Sequence, residues 1–147
     1  MKFIADVMLG SLAKRMRLLG FDVLYDRALA DNELLRVALE QGRIILTRDT
    51  ALAARPLARG SLLIASDHVD DQLRQVIGHF SLSPDAALTR CSVCNEPLEE
   101  MSRDAARDRV PEYIYQRMER FHHCRQCDRT YWQGTHVRNM GLRKGLP

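Results

Sequence analysis

The sequence has no apolar run approaching the roughly 20 residues of a membrane span, which argues against a transmembrane protein. It also lacks a glycine-rich phosphate loop, a Gly-x-Ser-x-Gly elbow and an Asp-x-Asp pair. Those absences argue against a nucleotide kinase, an α/β hydrolase and a haloacid-dehalogenase phosphatase. Cysteine is scarce, with four residues in 147. A chain of this length buries roughly 70% of the surface its unfolded form exposes, so disulfides are not needed to keep it folded. Met1 to Leu12 is a poor signal peptide, because Asp6 interrupts it and Lys14, Arg15 and Arg17 follow where the cleavage site would lie. The expectation is an intracellular, cytoplasmic protein with no membrane partner.

What is present is an ordinary globular composition, 46% hydrophobic and 28% charged, with one main core and room for a small appended module. The net charge of +3 is unevenly spread. Residues 1–85 carry 11 Lys and Arg against 11 Asp and Glu, whereas 86–147 carry 11 against 8. From Arg120 onward six basic residues face Asp128 alone. A basic end of this kind suits a nucleic-acid partner, since neutralising phosphates releases counterions, and it equally suits a solvated tail.

Apolar periodicity in the first 85 residues predicts alternating strands and helices. Lys2 to Val7 reads as a strand, after which Leu9, Leu12, Ala13, Met16 and Leu19 recur at helical spacing up to Gly20. Phe21 to Tyr25 reads as a second strand. A second helix begins at Asp31, buries Leu34, Leu35, Ala38 and Leu39, and stops at Gly42. Arg43 to Thr47 contains the continuous apolar run Ile44-Ile45-Leu46, suited to a strand covered on both faces. Thr50 is a candidate cap for a short helix before Pro56, Ser61 to Ala65 a fourth strand, and Val69 to Phe80 a last helix with Leu73, Val76, Ile77 and Phe80 inward. The sum is an α/β fold with a small parallel sheet flanked by helices.

Open α/β sheets bind ligands at the carboxyl ends of their strands. Asp6, Asp31, Asp49 and Asp67 all fall at or near that edge, and Glu33 sits one turn inside the second helix. Crowded carboxylates repel unless cations neutralise them. Mg²⁺ or Mn²⁺ would do so, and two such ions about 4 Å apart activate water for phosphodiester hydrolysis. Taken singly, Asp31 and Asp67 are equally readable as helix caps.

The last third differs. All four cysteines occur as two Cys-x-x-Cys pairs, Cys91/Cys94 and Cys124/Cys127, with 29 residues between the pairs. Two knuckles of this kind bring four thiolates to one Zn²⁺ in a closed structural site, and its loss is expected to unfold the C-terminal third alone. The segment between them carries a charged run, Arg103 to Arg109, then Pro111 and a predicted helix from Glu112 to Phe121. His122 and His123 adjoin Cys124 as competing ligands or as neighbours of a complete cysteine set. Tyr131 and Trp132 are candidates either to stack on unpaired bases or to pack the ribbon.

The stretch from Asp6 through Lys14, Arg15 and Arg17 to Asp22, then Gly42-Arg-Ile-Ile-Leu-Thr-Arg-Asp49, Arg90-Cys-Ser-Val-Cys-Asn95 and Tyr131-Trp-Gln-Gly-Thr-His136 together resemble the Mut-seven C-terminal RNase domain family. Thr135 stands where the family commonly has Ser, a small departure. The resemblance spans almost the whole chain. It implies a PIN-like nuclease domain over 1–85, a Cys₄ zinc ribbon module with a basic tail over 86–147, and metal-dependent hydrolysis of RNA. Carried onto this sequence, the PIN-like acids are Asp6, Asp31 and Asp49, with Glu33 or Asp67 as the fourth. The expected cofactors are structural zinc and catalytic Mg²⁺ or Mn²⁺, and the expected partner is RNA. Candidate RNA contacts are Lys14, Arg15, Arg17, Arg48, Tyr131, Trp132 and His136, although Arg48 equally suits an ion pair with a neighbouring acid. The alternatives are a non-catalytic RNA-binding zinc-ribbon protein and a regulatory or toxin-like PIN protein acting with a protein partner.

Overall fold

Alternation of Phe3, Ile4 and Ala5 at the start of the chain sends successive side chains to opposite faces of a strand, and all three are buried. In the computed structural model, which describes residues 1–84 and 88–134, this strand is β1 (Lys2–Ala5) at the heart of a parallel sheet. Around it come α1 (Gly10–Leu18), β2 (Asp22–Leu24), α2 (Asp31–Gln41), β3 (Ile44–Thr47), α3 (Thr50–Ala53), β4 (Leu62–Leu63) and α4 (Val69–Phe80). The order across the sheet is β2-β1-β3-β4, every neighbouring pair parallel.

Helices cover both faces. Leu12, Ala13 and Met16 of α1 and Leu73, Val76 and Ile77 of α4 bury Phe3, Ala5 and Leu46. On the other face Leu34, Leu35 and Ala38 of α2 and Leu52 of α3 bury Ile4 and Ile45. The apolar run of β3 is therefore enclosed from both sides, as its composition predicts. Helix α2 ends where Gly42 takes a left-handed conformation (φ 62°) and its amide returns to the last turn, a geometry that costs glycine no Cβ clash.

Several boundaries differ from the sequence expectation. Strand β1 stops at Ala5, because Asp6 turns its carboxylate onto the Val7 amide and caps a 3₁₀ turn over Val7–Leu9. The cap of α3 is Asp49 rather than Thr50, and those of α2 and α4 are Ala30 and His68 rather than Asp31 and Asp67. Strand β4 is limited to two residues.

The second sheet is antiparallel, with β5 (Glu99–Met101), β6 (Phe121–Cys124) and β7 (Arg129–Trp132) in sequence order. Between β5 and β6 lie α5 (Arg103–Ala106), capped by the Ser102 hydroxyl, and α6 (Glu112–Arg117). The helix expected to run to Phe121 ends four residues earlier, because Phe121 is taken by the sheet, opposite Met101 and Trp132. Ala106, Val110, Tyr115 and Phe121 form a separate small core beneath it. The expected module boundary at 85/86 lies outside the described residues. No helix among the described residues is long and apolar enough to cross a membrane.

Candidate functional site

The chain leaves β1 through α1 to β2 on one flank, and α2 then carries it across to β3 on the other. The carboxyl ends of β1 and β3 thus bound the point where strand order reverses, the usual ligand crevice of an open α/β sheet. Asp6 and Asp49 stand there. Asp6 is 4% exposed; one carboxylate oxygen accepts from the Val7 amide at 2.7 Å and the other from the Thr47 hydroxyl at 2.8 Å. That hydroxyl in turn accepts from the Asp49 amide at 2.9 Å. The Asp49 Oδ1 atom accepts from the amides of Ala51 and Leu52.

Thr47, fully buried, is a site residue that sequence reasoning missed: one hydroxyl ties the two acid-bearing turns together. Its signal was a polar residue closing an otherwise apolar strand. Tyr25 is a second. Its hydroxyl donates to the Val7 carbonyl at 2.9 Å, bracing the turn after Asp6. A Cβ at Gly10 would come within 2.7 Å of that hydroxyl, so glycine is what admits the tyrosine.

The other predicted acids are placed differently. Asp31 is exposed in the first turn of α2. Glu33 is held by Arg36, whose hydrogen bonds depress its carboxyl pKa. Asp67 is 72% exposed beside His68. Among the described residues, no three of these acids bring ligand atoms within reach of one ion; the four cysteines do.

The predicted basic contacts divide in the same way. Lys14 is exposed, and Arg15 pairs with Asp70 of α4. Arg17 is not available to a phosphate. It is 4% exposed, donating through Nε to the Val23 carbonyl at 2.8 Å and through one terminal nitrogen to the carbonyls of Ser92 and Val93 at 3.1 and 2.9 Å. A cation that sequence position assigns to the surface is covered because the first cysteine knuckle docks on it. Arg48 makes no ion pair with Asp49 or any other acid among the described residues, and its Nε is buried without a hydrogen-bond partner.

At one end of the second sheet and in the turns beside it, the Sγ atoms of Cys91, Cys94, Cys124 and Cys127 all lie within 4.8 Å of one another, and those of Cys94 and Cys124 are 3.5 Å apart. Four sulfurs about 2.3 Å from a tetrahedral zinc would be separated by about 3.8 Å, so the set fits such an ion. Burial pushes the Cys91 thiol up, but the Tyr131 hydroxyl at 3.0 Å and the amides of Cys94 and Val93 outweigh it and hold the pKa at about 6. Burial raises Cys94 and Cys124. Four thiols this close cannot all ionise without a cation between them, whose charge offsets the repulsion.

Each knuckle ends in a left-handed residue, Asn95 (φ 70°) and Asp128 (φ 51°), types whose short polar side chains tolerate that conformation. Asn95 also joins the first knuckle to the parallel sheet. Its Oδ1 accepts from the Val23 amide at 3.0 Å and its Nδ2 donates to Asp22 at 2.8 Å, so it closes the open edge of β2. Arg43 and Arg90 converge on the same Asp22 carboxylate. Burial raises that carboxyl, and the bonds from Arg43 and Asn95 more than offset it, leaving it below the usual range. Tyr131 has its hydroxyl on Cys91 and Ser92, and Trp132 packs on the Phe121 core, each partly buried. His123 pairs with Asp128 at 2.8 Å, and neither His122 nor His123 joins the cysteine group. His136 and the basic residues Arg138, Arg143 and Lys144 lie outside the described residues.

No curated protein and no solved structure matches this chain. One protein family does, described as the Mut7-C RNAse domain, and the match runs from residue 1 to residue 143. It takes in both the acid-bearing strand ends and the four cysteines, so the chain belongs to the Mut7-C RNAse domain family.

Proposed function

We propose that this protein is a metal-dependent ribonuclease that hydrolyses RNA phosphodiester bonds at the carboxyl edge of its parallel sheet. The observation that carries the reading is the pairing of Asp6 and Asp49 at the ends of adjacent strands, flanking the reversal of strand order and linked through Thr47. Hard divalent cations such as Mg²⁺ and Mn²⁺ take carboxylate oxygens. Asp6 and Asp49 fit that demand, with Asp31 at the start of α2 the third acid of the set. A bound divalent ion supplies the neutralising charge and the polarised water that phosphodiester hydrolysis needs. The chain's own part is to hold the acids still: Thr47 and the Val7 amide orient Asp6, and the first turn of α3 orients Asp49. Glu33 and Asp67 contribute less, the one engaged by Arg36 and the other turned to solvent. The cysteine cluster holds zinc as a structural ion, in keeping with a reducing, cytoplasmic setting.

The competing reading is a non-catalytic RNA-binding protein, favoured by the failure of any three acids to converge among the described residues. One experiment separates the two. Labelled RNA is incubated with the wild-type protein, Asp6→Asn and Asp49→Asn, in Mg²⁺, in Mn²⁺ and without either. Metal-dependent cleavage that falls by about a hundredfold or more in both variants, with RNA binding kept, supports the nuclease. No cleavage by the wild type, or undiminished cleavage by both variants, leaves the binding module.

A further inference from the structure

Among the arginines of the described residues, Arg48 alone has a buried donor left unpaired. Most of the others near the sheet are engaged: Arg15 with Asp70, Arg17 with three carbonyls, Arg36 with Glu33 and Glu40, Arg43 with Asp22, and Arg55 with Asn32. Arg48 has Asp49 next in sequence, yet pairs neither with it nor with any other acid among the described residues. Asp6 spends its oxygens on Val7 and Thr47, and Asp49 spends Oδ1 on the amides of α3. Buried donors without partners are rare in native proteins, because desolvation is then uncompensated. The Nε itself is closed to solvent, so a ligand would meet the terminal nitrogens of this partly buried residue, which make no hydrogen bond or ion pair among the described residues.

We infer that Arg48 is the phosphate-binding residue of the site, its guanidinium taking the non-bridging oxygens of an RNA phosphate at the carboxyl end of β3. The assignment rests on the nuclease reading for its substrate and goes beyond it in naming the cation. Arg48 follows Thr47, the last residue of β3, and precedes Asp49, so it sits at the strand-order reversal that Asp6 and Asp49 flank. A guanidinium has a rigid fork of donors that matches a phosphate and stays charged at any working pH. An RNA phosphate brought to an edge lined by carboxylates needs such a positive group as well as metal ions. Of the basic residues that follow the first acid, none takes this place: Lys14 is on the outer part of α1, Arg15 is tied to α4, and Arg17 is under the cysteine knuckle.

The test compares wild type, Arg48→Met and Arg48→Lys. Binding of a short single-stranded RNA is followed by fluorescence anisotropy across a salt series without added Mg²⁺ or Mn²⁺, and cleavage is measured separately in Mn²⁺. Arg48→Met is expected to weaken binding about tenfold and to reduce the slope of log K against log salt by about 0.7, the value for one phosphate on a single strand. Its kcat/KM for cleavage should fall by about a hundredfold, the scale of losing one charge-stabilising donor. Arg48→Lys should restore the salt slope, because the charge returns, but only part of the rate, because the fork does not. A residue that merely packs would leave the slope untouched. An unchanged slope in Arg48→Met, with circular dichroism showing it folded, overturns the assignment even if the wild type cleaves RNA. If the wild type binds RNA without cleaving it, the nuclease reading fails, and the slope still decides whether Arg48 meets a phosphate.

Discussion

Replacing Arg17 with Met keeps most of the side chain's volume and removes its charge and its donors. The wild-type guanidinium makes hydrogen bonds to the carbonyls of Val23, Ser92 and Val93, all within 3.1 Å and in a buried setting. Burial lowers the guanidinium's own pKa, and the Cys91 and Cys94 sulfurs oppose that, so the cation offsets the charge of the cysteine cluster as well as bonding its backbone. Net values of about 1.5–3 kcal/mol for hydrogen bonds to a charged group suggest more than 4 kcal/mol for three. The cost of desolvating the cation reduces this, and breaking buried charged contacts typically costs about 3–5 kcal/mol. Native proteins have about 5–15 kcal/mol in total. Arg17→Met is therefore expected to lower Tm by about 10 °C. The same contacts bear on zinc. Because Arg17 and Asn95 join the first knuckle to β2, stripping the metal should destabilise the parallel sheet too, rather than unfolding the C-terminal third alone. Thermal melts by circular dichroism, run on zinc-loaded, chelator-stripped and Arg17→Met protein, measure both effects. Hydrogen exchange at the Val23 amide, protected by Asn95, should speed up on zinc removal. A parallel sheet that melts at the same temperature with and without zinc, or an Arg17→Met protein as stable as wild type, would refute the coupling.

Thr47→Val keeps the shape of a buried residue but removes the donor to Asp6 and the acceptor for the Asp49 amide; a loss of about 1–3 kcal/mol in chemical denaturation is expected, with a larger loss in metal-dependent cleavage than in RNA binding. Asp22 has a depressed pKa in the folded state, so its contribution is present above the unfolded carboxyl value of about 3.9 and is lost as pH falls through the folded pKa. Stability measured by urea titration should therefore drop below about pH 4, and Asp22→Asn should flatten that drop while lowering stability at pH 7. An unchanged acid limb in Asp22→Asn would show that the Arg43, Arg90 and Asn95 contacts add nothing.

Local pattern was enough for most of the α/β unit, though not for Leu39, which the helical stripe of α2 put inward and which is exposed in the fold. The Ile44-Ile45-Leu46 run, the stripes of α1 and α4 and the stop at Gly42 each follow from short-range periodicity or backbone freedom, and each element appears where the pattern puts it. The cysteine pairs likewise announce a four-sulfur cluster from spacing alone, because a Cys-x-x-Cys turn presents two sulfurs on one side. Strand β5 was invisible. Glu99 and Glu100 carry no apolar alternation, and only pairing with His123 and His122 makes them a strand.

For the site, the sequence by itself determined which acids lie at strand ends, since Asp6 directly follows one apolar run and Asp49 comes three residues after another. Tertiary structure decided what those acids and their neighbours face. Strand order put β1 beside β3 and so let Thr47 bridge two acids separated by 43 positions in the chain. The same folding step placed Ser92 and Val93 over Arg17, turning a basic residue of α1 from a candidate RNA contact into the buried cation between β2 and the first cysteine knuckle. Composition records how many charges a chain carries. Which of them meets solvent, a carboxylate or another segment's backbone depends on partners distant in sequence, and those exist only once the sheet has closed.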